Sequence, residues 1–193
     1  MTTMITTITA GSCLRSETGN ANSSDQGFKM SKSLGDELND DLWRRLGGAD
    51  LESCAEKVIL IATVDEQGWP HPAMLSYFEV VAADRDNIRM ATYRGSRTTE
   101  NMRRNGKATL SIIDERVAYY IKGSVSELER EMFCAPYNSK LNLKVESVLA
   151  DEANEEFEPG AYVSSGVMYR SPNRSEQLLK AREVIRELLL NKK

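Results

Sequence analysis

Residues 89–106, RMATYRGSRTTENMRRNG, gather in one short stretch the groups that an anion requires. The β-prone segment 89–93 leads to Gly95, which permits a tight turn, and Ser96 has the chemistry of a helix N-cap. Asn105-Gly106 supplies a stop, because both residues tolerate the left-handed conformation in which helices end. A helix opening on Ser96, Arg97, Thr98 and Thr99 presents unbonded N–H groups, hydroxyls and a guanidinium at the positive end of its dipole. That set suits a phosphate. Taken alone, the window reads as a capped surface helix with solvated arginines; the sequence on either side is what favours a ligand.

Positioning such a turn requires strands before and after it, and the patterning supplies them. Residues 58–64 form a nearly continuous apolar run, as in a strand with little exposed face, followed by the hairpin turn Asp65-Glu66-Gln67-Gly68. Further strands are predicted over 73–81, 88–93, 108–113 and 117–126. Leu141, Leu143 and Val145 alternate with Lys140, Asn142, Lys144 and Glu146, predicting a half-buried strand, and 161–169 reads as the last. Short strands separated by turns indicate a mainly β barrel or sandwich rather than a βαβ fold.

Helices are expected at both ends. Leu34, Leu38, Leu42 and Leu46 recur every four residues and predict a helix over 31–46, stopped by Gly47-Gly48. Residues 173–193 predict an amphipathic helix with Leu178, Ala181, Ile185 and Leu188 on one face, packed on the barrel or across a dimer. The chain thus divides into 1–29, a polar disordered leader or cloning remnant, 30–56 helical, 57–170 barrel and 171–193 helix. A net charge of −4 argues against a nucleic-acid partner, and no apolar run approaches the about 20 residues of a membrane helix. Cys13, Cys54 and Cys134, odd in number and without CxxC pairing, fit reduced thiols in a cytoplasm.

The order of motifs, ATVDEQGWPHPAMLSYF (62–78), IRMATYRGSRTTENMRRNGKATLSII (88–113) and VAYYIKGSVSEL (117–128), resembles the flavin-binding split-barrel superfamily of pyridoxamine 5′-phosphate oxidase. The resemblance implies a six-stranded split barrel with flanking helices, a homodimer, and one FMN at each of two sites across the interface. On the matching positions, Ser96, Arg97 and Thr98 stand where the family's Ser-Arg-Lys grips the phosphate, with Thr98 in place of lysine. Arg94 is a candidate to supply part of the missing charge. Ala91 and Thr92 match the strand end touching the ribityl chain and phosphate, while Met74, Leu75 and Ser76 match the strand along which the isoalloxazine ring lies.

Departures bear on the reaction. The oxidase's C-terminal Trp and Arg-Leu-His segment is replaced by SEQLLKAREVIRELLLNKK, and its arginine and lysine flanking the flavin strand by Ala73 and Phe78, which speaks against vitamin B6 oxidation. No catalytic side chain is assigned. His71 is the only histidine, so a histidine-based metal site cannot be built, and a structural role is expected for it as for Cys134. The reading is an FMN-dependent oxidoreductase of a small molecule, with reduced nicotinamide as donor, since flavin carries its own chemistry. The competing reading is a non-catalytic protein that sequesters flavin or haem or serves as a stress-related interaction module, with haem and deazaflavin as the alternative cofactors.

Overall fold

We describe a computed structural model of the chain, covering residues 31–190. The leader expected at 1–29, with Cys13, Met30 and the last three residues of the C-terminal segment, lies outside the described residues. Eight strands and three helices follow in the order β1 (Ser31–Gly35), α1 (Asp40–Leu46), β2 (Val58–Val64), β3 (Pro70–Ser76), β4 (Val80–Ala82), β5 (Asn87–Tyr93), α2 (Arg97–Asn105), β6 (Lys107–Asp114), β7 (Val117–Glu129), β8 (Asn138–Asp151) and α3 (Arg174–Leu189). The strands form one antiparallel sheet in the order β3-β2-β6-β7-β8-β5-β4, with β1 on β8. β2, β3, β5, β6, β7 and β8 each run seven residues or more and make the expected split barrel; β1 and β4 are short additions.

The sheet curls around Ile59, Ile61, Ile88, Met90, Leu110, Ile112, Ile121 and Leu143, all essentially sealed from water. Apolar burial on this scale is the main driving force for closure. Where β7 crosses β8 the register slips between Lys122 and Gly123, and a Cβ at Gly123 would collide with the Lys144 carbonyl and the Leu143 side chain. Glycine here lets the two longest strands bend around the core together.

Three expected elements differ. The helix predicted over 31–46 is a strand in its first part. Ser31–Gly35 pairs with the end of β8, and Gly35 takes φ +103°, a conformation foreign to a helix. α1 begins only after Asn39, whose side chain accepts a bond from the Leu42 N–H at 2.9 Å. The leucine spacing is nevertheless used, because Leu38, Leu42 and Leu46 all plug the core.

The strand predicted over 73–81 is cut into β3 and β4. The Glu79 N–H bonds the Ser76 carbonyl at 3.0 Å while the Glu79 carboxylate accepts the Ser76 N–H and hydroxyl, closing a turn that composition does not announce. The segment 161–169 is no strand: it makes a single bridge, Lys57 to Met168, and scattered backbone bonds such as Arg116 N–H to the Val163 carbonyl at 2.8 Å, most of its residues being exposed. β2 is already paired with β3 along its length and with β6 at its centre, and this segment meets it at its first residue, where the Val58 N–H donates to the Val167 carbonyl at 3.2 Å.

α3 lies where its apolar stripe predicts, with Ala181, Ile185 and Leu188 buried against Phe78, Val81, Ala91, Met132 and Ala135. Its end is held by two cations from the sheet. Lys140 Nζ donates to the carbonyls of Glu187 and Leu190, each at 2.7 Å, and Arg89 Nη1 to that of Leu188 at 2.8 Å. Among the described residues no helix is long and apolar enough to cross a membrane.

Candidate functional site

The turn between β5 and α2 has the predicted build. Ser96 is the N-cap, its hydroxyl accepting the Thr99 N–H at 3.2 Å, and Gly106 ends the helix at φ +62°. The Thr99 hydroxyl donates to the Tyr93 carbonyl at 2.8 Å and lies 2.6 Å from that of Thr92, so three hydroxyls lock the strand end to the helix start. Geometry leaves the N–H groups of Arg97 and Thr98 without an intrahelical acceptor. Arg97 is exposed, and no described residue pairs with it. Arg94, one turn edge away, is ion-paired with Glu131 at 2.6 Å.

A brace that sequence reasoning missed supports this turn. Arg103, on α2, grips both oxygens of Glu127, donates to the Arg94 carbonyl at 2.7 Å and reaches the Ser139 hydroxyl at 2.9 Å. The same contact holds the Glu127 carboxyl below its usual range. Asn101 ties the helix to β2 through the Thr63 hydroxyl at 3.0 Å. The helix start is therefore a fixed feature of the barrel, as a preorganised anion site must be.

Beside the turn lies a cavity of about 500 Å³. Met74, Leu75, Ser76 and Phe78 form one wall, Tyr93, Tyr137 and Asn138 another, and Arg174, Gln177, Lys180 and Ala181 of α3 a third. The Tyr93 and Tyr137 rings sit 5.7 Å apart at the β5 end, which joins the cavity to the Ser96 turn. Met74, Leu75 and Ser76 line this cavity, whereas Ser96, Arg97 and Thr98 are not among its lining residues and follow Tyr93 at the start of α2. Ala91 and Thr92 are buried whole, the first beneath α3 with its N–H on the Glu79 carbonyl at 2.8 Å, the second with its hydroxyl on that of Thr99.

Two residues of this cavity, Glu79 and Arg174, carry no signal in the sequence. Burial pushes the Glu79 carboxyl above its ordinary range, outweighing the Ser76 bonds and the nearby Arg174 charge. A carboxyl whose pKa is raised by folding gives stability that is complete below the unfolded value and lost as pH rises through the folded one. Thermal unfolding across pH is expected to show such a descent above the normal carboxylate range, and Glu79→Gln to flatten it. An unchanged descent in the variant would assign it to other groups. Elsewhere, His71 is half-buried on β3, where its carbonyl accepts from Thr63 at 3.4 Å. Burial, reinforced by Glu187, pushes the Cys134 thiol up to about 12, leaving little thiolate at neutral pH.

Comparison with known proteins places the fold. A family profile described as pyridoxamine 5′-phosphate oxidase matches residues 51–162. The uncharacterised protein YclD of Bacillus subtilis is 28% identical over 151 residues, spanning 78% of this chain and 95% of its own. A crystal structure of a candidate pyridoxamine 5′-phosphate oxidase from Lactobacillus delbrueckii is similar at a TM-score of 0.50 and 18% identity, covering 61% of this chain and 98% of that one. HupZ of Group A Streptococcus is similar at 0.48 and 14%, covering 61% and 99%. The matched stretch holds the Ser96 turn, the β3 wall and more than half of the residues. The chain belongs to the pyridoxamine 5′-phosphate oxidase-like family of FMN-binding split barrels.

Proposed function

We propose that the chain binds FMN at the interface of a homodimer and acts as an FMN-dependent oxidoreductase, reducing a small molecule with electrons from reduced nicotinamide. The observation that carries this reading is the rigid start of α2, with Arg97 unpaired among the described residues, beside the cavity walled by Met74, Leu75 and Ser76. The donor set fits the cofactor. A phosphate monoester carries roughly two negative charges, which suit the guanidinium and the free N–H groups of Arg97 and Thr98. The apolar β3 wall suits a flat ring.

Bound FMN would supply the hydride and electron transfer; the chain's own part is to orient the ring, exclude water and admit donor and acceptor. Met74, Tyr93 and Tyr137, at the cavity mouth, are 57%, 61% and 55% exposed, an unusual placement for such side chains that a second copy of the chain would relieve. Absorption of the purified protein and titration with FMN test the reading. The expected result is a flavin spectrum, uptake of about one FMN per chain, and bleaching on addition of reduced nicotinamide. Absence of FMN uptake would overturn it. Binding without reduction by any nicotinamide would favour a sequestering protein, and the absorption of whatever copurifies separates FMN from haem and deazaflavin.

A further inference from the structure

The wall that α3 gives to the cavity lies beyond the family match at 51–162. It holds polar groups that the fold leaves unused. The Arg174 guanidinium sits over the Phe78 ring at 4.8 Å and is tied by Nη1 to Gln177 at 2.8 Å. Its Nε and Nη2 are buried and meet no acceptor among the described residues. Asn138, only 4% exposed on another wall, buries an Oδ1 that receives no hydrogen bond. Native proteins leave few such atoms, and those that persist call for a partner outside the chain.

The charges facing the cavity are Arg174 and Lys180 from α3 and Glu79 from the turn before β4. Glu79 spends its Oε2 on Ser76, and it forms no ion pair with Arg174. Two cations against one occupied carboxyl make the space attractive to an anion. A guanidinium with two adjacent free N–H groups matches a carboxylate in particular. The Phe78 ring beneath it, with Tyr93 and Tyr137 at the β5 end, favours a flat molecule.

We propose that the α3 side of this cavity, its β3 side being left to the flavin ring, is the substrate subsite and takes a small planar organic carboxylate, anchored by Arg174 and donating an N–H to Asn138. The anion subsite stands on these side chains alone; its assignment to the substrate rests on the FMN reading.

Three flat probes of nearly equal shape test it by calorimetry on the full chain, with and without saturating FMN: pyrrole-2-carboxylate, its neutral carboxamide, and furan-2-carboxylate, which lacks the N–H. The carboxylate is expected to bind roughly tenfold or more tighter than the carboxamide, and several-fold tighter than the furan acid. Arg174→Gln should erase the first preference. Equal binding of acid and amide by the unmutated protein, or no binding of either, would overturn the subsite without reference to any variant. Mutual displacement of FMN and pyrrole-2-carboxylate would show that Arg174 faces the cofactor's edge, overturning the substrate assignment. An Arg174-dependent preference in a chain that takes up no FMN would uphold the anion subsite while the FMN reading fell.

Discussion

Lys140→Met is expected to lower the unfolding free energy by about 3 kcal/mol. Lys140 is 1% exposed, yet carries a charge. It offsets its desolvation by donating to the carbonyls of Glu187 and Leu190 at the end of α3 and by facing Glu129 at 3.7 Å. Desolvation lowers its pKa, the Glu129 charge acting against it. Methionine keeps the volume and removes the donors. Denaturant unfolding measures the loss, and proteolysis should then cut within or before α3 first, since Lys140 and Arg89 bond the carbonyls of its last turn. A loss below about 1 kcal/mol would place the docking of α3 in its apolar face alone.

Arg97→Ala is expected to weaken FMN by roughly 10- to 100-fold while leaving riboflavin nearly unchanged. Removing the side chain deletes a charge that no described group neutralises, but the Ser96 cap and the Thr92–Thr99 lock remain, so the helix start keeps its shape. Riboflavin has no phosphate and should not sense the change. Arg94→Ala provides the contrast. Its guanidinium is engaged by Glu131, both half-exposed, so a smaller effect is expected there. Titration of the two flavins against both variants and the unmutated chain reads this directly. Equal losses for FMN and riboflavin would put the phosphate elsewhere.

Much of the fold was legible because local rules and tertiary demands agreed. Ser96 and Gly106 bound α2 as their side-chain chemistry requires. The stripe of Ala181, Ile185 and Leu188 found its surface. Disagreement arose where one pattern served two structures. Leu34, Leu38, Leu42 and Leu46 have helical spacing, yet Leu34 reaches the core from a strand and the others from the segment after Gly35. Lys140 reads as the exposed partner in an alternating strand, as Lys144 and Glu146 are, but the end of α3 folds over it.

Residue types and their order alone determined the mainly β architecture and the capped turn of Ser96, Arg97 and Thr98, because each rests on interactions between near neighbours in the chain. Only the tertiary structure decided that Arg174 is brought over Phe78 and lines the same cavity as Asn138. It likewise decided that Arg103 braces the turn through Glu127, and that Lys140 is sealed from water. Those contacts join residues far apart in sequence, and their partners become definite only once the sheet has closed and α3 has docked upon it.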